Sequence, residues 1–390
     1  MISRWKQGVR ELPSSSLLYF IGLVIWQVSS VMNMTILGKV GISTRLATLP
    51  IRGLGLMLIM LSFVLGLRAI NYSIPLKWLL WVGCIGIFLV INNVLLGHNT
   101  SYIDIIIIVV CGAYVDLDKL IYPYFLVRII SVLTIIIAML VGLLPSTSSY
   151  RDGLVRYDLG FYWSSFVPFI FLFCLLYLMW DLNRKPTIPI IICFVAINQL
   201  LFYLTDTKSP YYLTLLALII WWVETHLINM DSVSTTRFCK IMANILLPLL
   251  IFLIYYLSAN YTSFPQLNNM LSGRLSLGYQ GIQRFGIGLF GHKYVDYTNL
   301  LTAGEYFTID SGLLRYLVNF GLISTLLVAI LFRQFLYSLI NNKMAKRAVV
   351  IFIVFLIGFT DPWILRLDAN IFLTWMASFS LKALKARQDL

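Results

Sequence analysis

The chain has 390 residues, 60% of them hydrophobic and only 12% charged, with a formal net charge of +13. That balance excludes a soluble globular enzyme and a disordered polar chain, and marks an integral membrane protein. It also removes nucleic acid as a reading of the positive charge, because in a membrane protein basic residues report orientation first.

Windows of about twenty residues with almost no charge recur along the whole length, enough to cross about 30 Å of hydrocarbon. Lipid offers the backbone no hydrogen-bond partners, so each window must be a helix. In chain order they fall at roughly 15–33, 50–68, 76–96, 101–115, 120–143, 161–180, 187–204, 210–229, 241–259, 311–332, 348–360 and 368–383. The expected fold is all-α: one polytopic transmembrane bundle over residues 1–390, with about 12 spans. External loops are expected at 144–160 and 260–310, the larger one between spans 9 and 10. The first apolar stretch, Leu17 to Val31, is followed by no small-x-small cleavage site and reads as an uncleaved span.

With the N-terminus inside, seventeen of the 29 cations fall in short inside segments, among them Arg4, Lys6, Arg68, Arg184, Lys346 and Arg387. This bias predicts an N-in, C-in topology. The five cysteines lie in spans or an inside loop, which gives no disulfide framework and no metal-binding spacing. Arg128 lies within the fifth span, where it needs a polar partner such as Asn92, Asn198 or Gln199. Asp206 and Lys208, in the turn TDTKSP, read as an ion pair that fixes the turn or as a further cationic contact.

Against the topological rule, Arg151, Arg156, Arg274, Arg284 and Arg315 gather in the external regions, where a polyanionic ligand would account for them. The first region reads PSTSSYRDGLVRYDLGFY, and Asp152 and Arg156 would pair at i, i+4 in a helix. The second reads LSGRLSLGYQGIQRFGIGLFGH and then YFTIDSGLLRYLVNFG, carrying also His292, Lys293, Asp296, Glu305 and Asp310. A connection this long is more often a working surface than a linker. Within it Leu271, Leu275, Tyr279, Ile282 and Phe285 recur at helical spacing, which predicts an interfacial helix with Ser272 as its N-cap. Glycines at 278, 281, 286, 288 and 291 would let the backbone approach a ligand closely.

Ser311, Arg315 and Asn319 then form a stripe at i, i+4, i+8 on the outer turns of the next span. Arg315 there either snorkels outward to Asp310 or Glu305, or clamps phosphate at the mouth of a cavity. A guanidinium presents paired planar donors that match phosphate oxygens. A base is available in His292 or Asp310, the latter also placed to cap the helix. No P-loop, HExxH, nucleotide–metal acidic pair or Ser/His/Asp set is present, so the reading requires neither metal nor cofactor. Inside loops are too short to hold a nucleotide sugar, which points to a donor already carried on a lipid, a polyprenyl diphosphate.

About twelve spans, a large loop opening SGR…G…GxGLFG, and an IDSGLLRYLVNFGLI entry into the next span together resemble Wzy-type polysaccharide repeat-unit polymerases. The wording of the loop is most similar to capsular and exopolysaccharide polymerases of Gram-positive bacteria. The likeness covers the whole chain in topology and about 270–325 in sequence. It implies a metal-independent membrane glycosyltransferase, distantly similar to O-antigen ligases, acting on undecaprenyl-diphosphate-linked oligosaccharide at the outer face of a bacterial cytoplasmic membrane. Flippase and chain-length regulator of the same pathway would be its partners. Diphosphate binding would map onto Arg274, Arg284 and Arg315, with Arg151 and Arg156 from the earlier loop. Lys293, Ser311 and Asn319 would contact substrate, and His292 or Asp310 would act as base. Ligases of the wider group carry a histidine just before the corresponding span, where this chain has Asp310-Ser311, which favours polymerase over ligase. A lipid-linked oligosaccharide flippase is the alternative of another class.

Overall fold

A computed structural model describes residues 14–38, 44–69, 75–97, 101–151, 153–293, 307–378 and 381. In chain order these form α1 (Ser14–Asn33), α2 (Thr44–Ala69), α3 (Leu76–Val90), α4 (Ser101–Cys111) and α5 (Leu117–Leu140). A hairpin of β1 (Ser148–Arg151) and β2 (Leu154–Tyr157) precedes α6 (Phe166–Trp180), α7 (Ile188–Thr205), α8 (Lys208–His226) and α9 (Val233–Ala259). The short helices α10 (Pro265–Met270) and α11 (Arg274–Phe285) follow, then α12 (Gly312–Asn341) and α13 (Ala345–Thr360).

Among the described residues, seven helices are long and apolar enough to cross a membrane: 14–33, 46–68, 76–96, 117–140, 188–205, 233–259 and 312–341. The all-helical membrane bundle is therefore present, but the expectation of 12 spans needs correction. The helix at 101 stops after 11 residues at Cys111, and the window at 161 forms a helix only from Phe166. The window at 348 yields 16 residues, the one at 368 breaks into a 3-10 turn at Ile371–Thr374, and the one at 210 forms the helix Lys208–His226, which is not among the seven. Hydropathy cannot separate a lipid-crossing helix from a short one buried in protein. α6 is the case in point: all but one of its 15 residues are buried, so its all-round apolarity is met by protein.

The chain divides into two compact units. The first comprises Met1–Ile74, Ile107–Asn229 and Leu367–Ser378. Here α1 and α2 cross at Gly22 and Gly55: a Cβ at Gly22 would lie 2.7 Å from the Gly55 carbonyl, and one at Gly55 2.7 Å from the Trp26 amide. Small residues at such a crossing let dispersion contacts form where lipid supplies no hydrophobic drive. The stretch 145–162 departs from the helical expectation for Asp152 and Arg156. It is an antiparallel hairpin with Ser149 opposite Arg156 and Tyr150 opposite Val155, and Tyr150, Val155 and Tyr157 are its strand-favouring residues. Asp152 and the side chain of Arg151 lie outside the described residues.

The second unit comprises Pro75–Ile106, Met230–Arg366 and Phe379–Leu390. Its α3 runs on as a π-helical turn at Ile91–Leu96. α12 is two helices joined at Gly321, whose φ of 79° and ψ of 175° only glycine adopts readily. The stretch expected as an external loop at 260–310 is described as far as Lys293 and again from Phe307, and the helix expected within it is present. It carries α10 and α11, and the segment after α11 runs back beside the break in α12. Residues 294–306, including Asp296 and Glu305, lie outside the described residues.

Candidate functional site

The second unit gathers most of the sequence-predicted residues. α11 begins after Gly273 rather than with Ser272 as cap, because Ser272 itself holds a positive φ. Its buried face is Leu275, Gly278 and Gly281. A Cβ at Gly278 would strike Ser258 of α9 and Leu314 of α12, and one at Gly281 would strike Ile309. These two glycines serve close packing of α11 on protein, which corrects the expectation that they face a ligand.

Arg274, the first residue of α11, is the centre of an ionic cluster. Its Nη1 and Nη2 donate to both carboxylate oxygens of Asp361 at 3.1 and 3.0 Å, and its Nε lies 3.5 Å from Asp310. The Asp361 side chain is 8% exposed, that of Arg274 19% and that of Asp310 31%. A planar bidentate fork of this kind is the strongest ion-pair geometry. Arg274 is thus occupied by carboxylates, and Asp310 is the more solvent-facing of the two anions it holds. Asp361, at the end of α13, did not stand out in the sequence. Its only signal was a lone carboxylate before Pro362, between two apolar runs. Ser311 rather than Asp310 caps α12, its Oγ accepting from the Leu314 amide at 3.3 Å.

Arg284, Phe307, Phe285 and His292 form a second cluster. The exposed Arg284 lies 4.6 Å over the Phe307 ring, Phe285 is 6.0 Å from Phe307, and His292 stacks on Phe285 at 5.9 Å. A guanidinium over an aromatic face is attracted by the ring's negative face. Lys293 beside it is exposed. Burial lowers the His292 pKa below the ordinary imidazole value, which keeps the ring neutral near pH 7, and its Nε2 is buried without a hydrogen-bond partner.

Behind His292 the glycine-rich segment closes the break in α12. The His292 amide donates to the Asn319 carbonyl at 3.0 Å, and the Leu322 and Ile323 amides donate to the carbonyls of Gly288 and Leu289 at 2.9 and 3.1 Å. Asn92, in the π-helical turn, accepts from the Gly291 amide at 2.7 Å and donates to the Phe320 carbonyl at 2.7 Å. Asn93, Tyr316 and Ser324 continue this buried network. Non-helical backbone at membrane depth needs such internal satisfaction. The Asn92-Asn93 pair inside an apolar span was its legible trace in the sequence. Arg315, half-buried, lies one turn beyond Ser311 and one before Asn319 on α12, as the stripe predicted. The amide oxygen of the buried Asn319 has no hydrogen-bond partner.

Arg156 belongs to the first unit, where its Nε donates to the Thr205 carbonyl at 2.9 Å. No ion pair joins Asp206 to Lys208 among the described residues; Asp206 closes α7 in a left-handed conformation at φ 44°. The partners expected for Arg128 are otherwise engaged. Asn198 and Gln199 bond the carbonyl and the hydroxyl of Tyr211, and Asn92 caps the α12 break. Among the described residues no group of three or more His, Cys, Asp or Glu is arranged to hold a metal ion. No family model, curated protein or solved structure matches the chain.

Proposed function

We propose that the chain is a membrane glycosyltransferase of the polysaccharide-polymerase kind. It would extend glycan carried on undecaprenyl diphosphate, at the outer face of a bacterial cytoplasmic membrane, with both termini inside. The observation that carries this reading is the grouping, in one unit, of guanidiniums and a held carboxylate around the first turns of α12. Arg315 and Arg284, with Lys293, are the cations assigned to the diphosphate, where they stabilise the charge that develops as the anomeric C–O bond breaks. Arg274, bound to Asp361, is assigned to positioning: it orients Asp310. The base that takes the acceptor hydroxyl proton is Asp310 or the neutral His292. Ser311 is engaged as a helix cap, which leaves Asn319 as the stripe residue with an acceptor to offer a sugar hydroxyl. Arg151 and Arg156 enter this reading only as cations of the first unit.

In cells that make the polymer, Arg315→Ala and Arg284→Ala should leave single repeat units on the lipid with polymer lost. Wild-type polymer yield and length in both variants would refute the assignment. One observation favours a second reading, a flippase for the lipid-linked unit: the helix break at Gly321, since transporters build their sites on discontinuous helices. The amides freed by this break are taken by Gly288 and Leu289 carbonyls, which suits a scaffold better than an ion site. Elongation by the purified protein separates the two readings from translocation without elongation. Ligation to a different acceptor would appear as a product that does not form a ladder.

A further inference from the structure

Asn244 and Arg333 are exposed polar residues set well inside α9 and α12, two helices long and apolar enough to cross a membrane. They are joined: Arg333 Nε donates to Asn244 Oδ1 at 2.6 Å. The Asn244 amide nitrogen donates in turn to the Tyr337 hydroxyl and the Lys240 carbonyl, each at 2.7 Å. The Arg333 guanidinium also lies 5.0 Å over the Tyr337 ring. A long basic side chain near a span end ordinarily snorkels freely into water. This one is held at Nε by the neighbouring helix and on one face by an aromatic ring.

The outer edge of the fork is unused. Arg333 Nη1 and Nη2 make no hydrogen bond among the described residues, and no carboxylate there lies within 4.0 Å of the guanidinium. None of α9, α12 and α13 contains an aspartate or glutamate. Asp231 precedes α9 by two residues, more than three helical turns from Asn244. Cations gather instead. Arg237 and Lys240 stand at i−7 and i−4 from Asn244 on one face of α9, and Lys343 and Lys346 flank the turn from α12 to α13.

The two helices run antiparallel, so one direction along their seam leads from the basic end into apolar surface. On α12 the exposed Ile330 and Leu326 lie at i−3 and i−7 from Arg333. On α9 the exposed Pro248 and Phe252 lie at i+4 and i+8 from Asn244. A fixed phosphate-matching fork above an exposed apolar seam has the complementarity of a phospholipid, head and chain together. A free phosphate would use the head alone.

We infer that the α9–α12 seam binds an anionic glycerophospholipid, its phosphate on the Arg333 Nη pair and an acyl chain along Ile330 and Leu326. The planar paired donors suit phosphate oxygens, and the surplus of cations favours a head of net negative charge over a zwitterionic one. The site lies about five turns along α12 from Arg315. It does not rest on the polymerase reading, since any membrane protein with this seam would hold such a lipid.

The test uses the full chain, delipidated in neutral detergent and titrated with dioleoyl phosphatidylglycerol, dioleoyl phosphatidylcholine or glycerol 3-phosphate. The thermal unfolding midpoint is followed, and retained lipid is counted by native mass spectrometry. Phosphatidylglycerol alone should raise the midpoint and stay bound. Its half-saturating concentration should rise about fivefold in Arg333→Gln, the weight of one basic side chain at an anionic surface. It should not change in Lys185→Gln, which removes an exposed cation of the first unit. The inference is overturned by no rise with phosphatidylglycerol or by an equal rise with phosphatidylcholine or glycerol 3-phosphate. It is equally overturned by an unchanged response in Arg333→Gln, or by a loss as large in Lys185→Gln. Should Arg333→Gln fail to fold, Asn244→Leu takes its place: releasing Nε should weaken the response about twofold or more, and an unchanged response overturns the site.

Discussion

The Arg274–Asp361 pair separates a positioning arginine from a ligand-gripping one through its energetics. Asp361 is 8% and Arg274 19% exposed, and two hydrogen bonds of 3.0 and 3.1 Å join them. Removing one partner of a buried pair leaves the other charge uncompensated, at about 3–5 kcal/mol. The residual exposure of Arg274 moves the expectation to the lower end, about 3 kcal/mol. The contact with Asp310 is a single one at 3.5 Å to a side chain 31% exposed, so solvent screening holds it to about 1 kcal/mol or less. A double-mutant cycle isolates each term: Arg274→Met with Asp361→Leu, and Arg274→Met with Asp310→Leu. Stability would be read from tryptophan fluorescence during equilibrium unfolding in mixed micelles. The first pair should couple by about 2–3 kcal/mol and the second by under about 1 kcal/mol. Coupling below about 0.5 kcal/mol between Arg274 and Asp361 would refute the reasoning, because Arg274 would then be available to substrate.

Three further outcomes follow from the same geometry. Gly321→Ala places a Cβ 2.5 Å from the Phe290 carbonyl in a backbone region reserved for glycine, so it should destabilise by about 3 kcal/mol or more, measured by the same unfolding assay. Asn92→Leu strands the Gly291 amide and the Phe320 carbonyl, at about 1–3 kcal/mol for each buried group left unpaired, and hydrogen exchange at 286–292 should accelerate. Because burial lowers the His292 pKa, the unfolded chain binds the proton more tightly than the folded one. His292 therefore favours folding above its ordinary pKa of about 6.5 and loses that contribution as the pH falls below it. The unfolding midpoint should drop between about pH 7 and pH 5, and less steeply in His292→Gln; equal slopes would remove the buried imidazole from the account.

What was legible in the sequence and what was not divide along physical lines. Long uncharged windows such as 117–140 and 233–259 declare themselves, because nothing but a helix can satisfy their backbone in lipid. Phe166–Trp180 is equally apolar for a different reason, burial in protein, and composition alone does not tell the two apart. The Ser311–Arg315–Asn319 stripe was readable because helical spacing is local. The partner of Arg274 was not, since Asp361 lies 87 residues away and only tertiary folding joins them. A glycine's identity does not disclose its role, as Gly278 and Gly321 show. One is small so that helices can touch, and the other has a backbone angle that breaks a helix. The hairpin at 148–157 was missed because a four-residue spacing of opposite charges suits a helix, while the alternation of Tyr150, Val155 and Tyr157 suits a strand.

The most direct test of the central claim is chemical. The purified chain would be placed in vesicles with undecaprenyl-diphosphate-linked repeat units on both faces and a chelator, without added nucleotide, and the lipid-linked products separated by size. The account predicts a ladder of lengthened glycans that disappears in Arg315→Ala. Repeat units that cross the bilayer or stay unchanged, with no longer product, would contradict it.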